Sequence, residues 1–166
     1  MSLWASVRGN VAWKAIPVAG AAAGTVFLIL SLVLMPLAFG VNATLVLRYF
    51  GSLVLGSQVL VQNDTLTLIV GVIMHYALSA LFTLVIALVV HRWGLLVGVI
   101  GGGLLGLAIY GINLYLFTRL LGWFEWFYAL AGPVLLASHI AFGAVAGGVY
   151  ELLDHYDVPF NQGGER

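Results

Sequence analysis

Four apolar stretches take up most of this chain, and each is long enough to cross a bilayer. They run over about 16–39, 66–90, 95–117 and 127–150, against the roughly 20 apolar residues that the hydrocarbon core demands. Each is apolar on all sides, where a barrel strand would alternate apolar and polar residues. A lipid-embedded backbone must satisfy its own hydrogen bonds, so these segments are helices. The chain reads as all-α integral membrane, with four transmembrane helices. Residues are 63% hydrophobic and 7% charged, which leaves no length for a soluble catalytic domain.

Residues 1–15 read as an interfacial N-terminal leader, with Trp4, Arg8, Trp13 and Lys14 as anchors at the membrane surface. The apolar run behind Arg8 and Lys14 far exceeds a signal-peptide core of 7–15 residues, so it reads as a retained first span. Pro17 fits a first helical turn, and Pro36 is expected to bend or end the helix. Residues 16–152 form a single four-helix transmembrane domain, followed by a polar C-terminal tail over 153–166.

Between the first and second spans, 42–62 reads as an amphipathic interfacial helix. Asn42 is placed to cap it. Leu45, Val46, Tyr49, Phe50, Leu53 and Val54 recur at helical spacing, with Thr44, Arg48 and Ser52 on the other side. Such a segment lies along the membrane surface or docks on the bundle. The short turn His91-Arg92-Trp93-Gly94 makes the second and third spans antiparallel neighbours. The aromatics Trp123, Phe124, Trp126, Phe127 and Tyr128 suit an interfacial belt before the fourth span.

Charge sets the topology. Arg8, Lys14, Arg92 and Arg166 fall on one side of the membrane, Arg48 and Arg119 on the other. The positive-inside rule then places both termini in the cytoplasm. The net charge is zero and no basic run exists, which argues against a nucleic-acid partner. The chain has no cysteine, so thiolate metal sites and cysteine nucleophiles are excluded. Zinc-protease, P-loop and nucleophile-elbow motifs are missing as well. No metal site is expected, and the chain reads as a non-enzyme.

The 21 glycines are placed in ridges. Gly94, Gly98, Gly102 and Gly106 recur every fourth residue in the third span, Gly20 and Gly24 lie on the first, and Gly143 and Gly147 on the fourth. Helices in lipid associate through close backbone approach, so these residues are candidates for packing within the bundle or against another subunit.

The histidines are the candidate cofactor ligands. His75 and His139 lie on spans that run in the same direction, each about ten residues from the same end, roughly 15 Å deep and near the midplane. Intramembrane ionisable residues are functional candidates by default, and two imidazoles facing each other across a bundle could ligate a b-type haem. Their alternative is a plain hydrogen bond to a neighbouring helix, with Tyr110, Asn113 and Ser138 as a polar cluster nearby. His91 is turned about 160° from His75, and His155 lies past the apolar core. Overlaying His75 on His139 also aligns Ala77 with Ala141, Ala80 with Ala144 and Val85 with Val149, which suggests an internal duplication.

The runs Leu47-Arg48-Tyr49, His91-Arg92-Trp93-Gly94-Leu95-Leu96-Val97-Gly98, Tyr110-Gly111-Ile112-Asn113 and Ser138-His139-Ile140-Ala141-Phe142-Gly143 continuing to Tyr150 resemble those of small uncharacterised bacterial four-helix inner-membrane proteins. Some of these carry a sodium:proline symporter label. The spans here hold no midplane carboxylate or broken helix for cation coupling, so the resemblance implies a location in the bacterial inner membrane and no activity. Three readings follow. The first is a non-catalytic accessory subunit of a larger membrane complex, plausibly respiratory or energy-conserving. The second is a small haem b or quinone protein using His75 and His139. The third is a homo-oligomeric channel or carrier. In each, the partners are the bilayer and other membrane subunits or further copies of the chain.

Overall fold

A computed structural model describes residues 11–62, 64–91 and 93–154. The leader residues Trp4 and Arg8, as well as Arg92, His155, Arg166 and most of the tail, lie outside them. The described residues are helical, with four helices long and apolar enough to cross a membrane. The protein is a four-span helical membrane protein with a shorter helix between its first two spans.

Helix α1 covers Ala15–Phe39. Pro17 occupies its first turn, where a missing N–H costs nothing. Of the two outcomes expected for Pro36, a bend or an end, the end is not seen, since the helix runs on to Phe39. Gly40 ends it: it adopts a left-handed φ of 66°, and its N–H bonds to the Pro36 carbonyl at 2.8 Å. A glycine in this conformation closes the last turn without a Cβ clash.

Helix α2, Thr44–Leu55, is followed by a 3-10 turn at Ser57–Val61. Asn42 caps α2 from just outside, its Oδ1 accepting from the Thr44 N–H and Oγ1, each at 2.8 Å. Two assignments of the amphipathic stripe are corrected. Ser52, expected on the polar side, is buried because its Oγ accepts from Trp126 Nε1 at 2.8 Å. Val54, expected on the apolar side, is exposed. Arg48, on the polar side, donates to the Leu60 and Gln62 carbonyls at 3.0 and 3.2 Å and so pins the 3-10 turn to α2.

Helix α3 spans Thr65–Val90. Asp64 caps it, accepting from the Thr67 N–H and Oγ1 at 2.8 and 2.7 Å. Helix α4 begins at Leu95, is α-helical to Gly111 and continues π-helically over Ile112–Leu120. Helix α5 is Pro133–Asp154. The fourth span therefore starts six residues later than 127, because Gly132-Pro133 resets the chain there. Proline suits a first helical position, and the Glu125–Leu130 stretch before it forms a separate 3-10 turn. Its aromatics pack on the bundle end: Tyr49 and Phe127 meet edge to face, and the Arg119 guanidinium lies 4.7 Å over the Tyr128 ring.

Helices α4 and α5 make the most extensive contact, and α5 also packs on α1. Helix α1 packs on α3, and α2 on α3. Helices α3 and α4, joined by the short turn after His91, touch little beyond it. They are neighbours across the turn but diverge from it, and α4 packs along α5 instead. The reason lies in the glycines. A Cβ on Gly102 or Gly106 would run into the carbonyl oxygen of Gly143 or His139, and one on Gly143 or Gly147 into that of Gly102 or Gly98. Such close backbone approach holds α4 on α5. On the other side, Gly20 and Gly24 bring α1 against Ser79 and Ala80 of α3.

Candidate functional site

The divergence of α3 from α4 leaves a chamber of about 350 Å³, closed at one end by α2 and the turn around Phe127. Phe27 of α1, Phe50 of α2, Phe82 of α3, Phe117 of α4 and Phe142 of α5 contribute its aromatic wall. Leu78, Leu81 and Phe82 of α3 and Asn113 and Phe117 of α4 line its flanks, between two helices that touch little. The π-helical stretch builds the α4 wall. Asn113, Leu114, Phe117 and Thr118 all lie within it and all line the chamber. Wider helical turns of this kind recur at functional sites because they re-aim side chains.

His75 and His139 both face this chamber, and both are buried. His75 Nε2 donates to the Gly24 carbonyl at 2.8 Å, across the α1–α3 contact that Gly24 makes possible. His139 Nδ1 donates to the Leu135 carbonyl one turn back, also at 2.8 Å. Carbonyl oxygens only accept, so these bonds assign the proton-bearing nitrogen of each ring. Both imidazoles pack on the same Phe27 ring, with centroids 5.5 Å away for His75 and 5.0 Å for His139. A haem held by both would need their nitrogens aimed at one iron with the macrocycle between. Here Phe27 touches both rings and His75 Nε2 is turned to Gly24. The residues do not fit a bis-histidine haem.

The expected polar cluster is not one cluster. The Tyr110 hydroxyl accepts from the Gly132 N–H at 3.0 Å, closing the start of α5. Ser138 donates to the Val134 carbonyl and accepts from Ser31 at 3.4 Å on the α1 side. Only Asn113 of the three lines the chamber. Of the glycines, Gly98, Gly102, Gly106, Gly143 and Gly147 lie in the α4–α5 contact and Gly20 and Gly24 in the α1–α3 contact. Gly94 is not part of a ridge: no atom lies within 4 Å of a Cβ built there, and its φ of 89° places it in the turn. Compared with known proteins, the chain matches no family model, no curated protein and no solved structure. The chamber is therefore read from its own chemistry.

Three features went unread in the sequence. Thr67, Gly71, His75, Ser79, Thr83 and Ala87 recur every fourth residue along α3, and all are buried. That small and polar stripe was visible as a spacing, but only its histidine stood out. Gly51 and Gly71 seat α2 on α3, since a Cβ on either would strike a backbone carbonyl, of Thr67 or Leu47. Glu151, near the end of α5, is fully buried. Its Oε2 accepts from the Gly94 N–H at 2.8 Å, so it caps α4 from α5, and the side-chain-free Gly98 makes room for its stem. A carboxylate there also meets the positive end of the α4 dipole.

Proposed function

We propose that this protein is a non-catalytic membrane component that holds a small, largely apolar ring compound of the quinone class in the chamber between α3 and α4. What carries this reading is the chamber itself. Its volume of about 350 Å³ falls at the lower end of ligand pockets, roughly 300–1,000 Å³, and its few polar groups sit in an aromatic wall, as in sites that orient a ligand. A void of that size left empty inside a protein would cost on the order of 8 kcal/mol. A wedge that opens between two lipid-facing helices fills from the bilayer instead.

The location that goes with this reading is the bacterial inner membrane with both termini in the cytoplasm, supported by the cation distribution and the resemblance of the chain to small bacterial four-helix proteins. Membership of a larger complex is a second reading. A shallow apolar groove on α4 and α5 supports it, lined by Ile100, Gly103, Leu104, Ile140 and Ala144. The channel reading has less support, because the hydroxyls of Thr67, Ser79, Thr118 and Ser138 are spent on bonds within the bundle.

Titration of a short-chain benzoquinone into the purified protein in mild detergent, followed calorimetrically, tests the proposal. Saturable binding of one molecule per chain is expected, lost when Leu78→Trp fills the chamber while the thermal midpoint is kept. Equal, non-saturating partitioning into both proteins would overturn it.

A further inference from the structure

The polar groups of the chamber wall are unevenly divided between donors and acceptors. His75 and His139 each spend their N–H on a helix carbonyl, Gly24 or Leu135. The wall holds no Asp or Glu, and an imidazolium buried in an apolar wall without an anion is strongly disfavoured. Both rings are therefore neutral, and their remaining nitrogens, Nδ1 of His75 and Nε2 of His139, are acceptors. The hydroxyls follow the same rule. Ser79 donates to the His75 carbonyl at 2.8 Å and Thr118 to the Leu114 carbonyl, which leaves lone pairs and no proton. Against these four acceptors, the wall keeps two unspent donors, the Asn113 amide and the Tyr49 hydroxyl.

We infer that the chamber selects a ligand whose polar end donates hydrogen bonds: an apolar ring compound bearing hydroxyls, a hydroquinone or alkylated phenol, in preference to one bearing only carbonyls or ethers. The inference rests on the proposed role of the chamber as a ligand site and specifies which side of the hydrogen bond the ligand supplies. A carbonyl-only ligand would have Asn113 and Tyr49 to accept from, and would bring its lone pairs against those of His75 and His139. A hydroxyl satisfies an imidazole nitrogen that otherwise has no partner in an apolar wall. No bond is made or broken in this recognition, so it applies to binding alone.

Three compounds of nearly equal shape separate the possibilities: a short-chain hydroquinone, its dimethyl ether and the corresponding benzoquinone. Each is titrated under anaerobic conditions into the full chain in detergent. The hydroquinone is expected to bind about tenfold more tightly than the ether for each hydroxyl that finds an imidazole, roughly a hundredfold if both do. The quinone is expected to fall with the ether. In His139→Phe, which keeps an aromatic ring but removes an acceptor, the hydroquinone should lose about tenfold while the ether is unchanged. Should that variant fail to fold, the three-ligand series on the unaltered protein decides alone. Equal binding of hydroquinone and ether, or tightest binding by the quinone, would overturn the inference and leave the ligand site standing. If none of the three binds saturably, the ligand site falls, and the inference with it.

Discussion

Thr83, in the second half of α3, has no exposed surface, and its hydroxyl has no hydrogen-bond partner among the described residues. Leaving a buried hydroxyl unpaired costs about 1–3 kcal/mol. Thr83→Val keeps the branched shape and removes the cost, so it is expected to stabilise the protein by about 1 kcal/mol, read as a higher thermal midpoint in detergent. Asp64 is the opposite case, a carboxylate with its bonds made. The Thr67 N–H and hydroxyl hold it below the ordinary carboxylate range. Its folded-state value lies under its unfolded one, so the cap stabilises fully above the ordinary aspartate value of about 4 and is lost as pH falls through the depressed value. Asp64→Asn caps without titrating. The difference in midpoint between wild type and D64N should stay flat from neutral pH down to about 5, then shrink below about 4. A difference that stayed constant into acid would remove the carboxylate from the cap.

At the scale of helices, glycine placement decides which spans pair. Gly143→Ala would push a methyl into the Gly102 carbonyl, and overpacking of this kind costs about 1–3 kcal/mol. Gly111→Ala meets nothing within 4 Å, so it should gain about 0.5–1 kcal/mol from helix propensity. Circular dichroism melts of the two variants should therefore move in opposite directions; a loss of stability in Gly111→Ala as well would mean that α4 rejects an alanine at this position for reasons other than contact with α5. The four spans were legible because an apolar run of membrane length has few alternatives. Their ends were less so. Hydropathy runs smoothly through Trp126 and Phe127, and the true start at Pro133 is a backbone signal that an apolar average hides. Likewise Pro36 was a candidate for a bend or a stop, whereas the left-handed Gly40 is the residue that terminates α1.

For the whole molecule, the chamber follows from a pairing pattern that one-dimensional reading does not contain. The sequence placed His75 and His139 at similar depth, but their distance from Phe27 and the choice of carbonyl for each ring depend on which helices the glycines bring together. Both halves of the chain set a glycine-bearing helix, α1 or α4, against a histidine-bearing one, α3 or α5. The wedge lies between α3 and α4, where the halves join and touch little. The most direct measurement is mass spectrometry of the organic extract of the protein, isolated with its surrounding lipid in polymer discs, beside Leu78→Trp prepared in the same way. The expected result is one hydroxyl-bearing apolar compound at one molecule per chain in the wild type and its loss in the variant. The same bulk lipids in the same proportions from both would contradict the chamber as a ligand site.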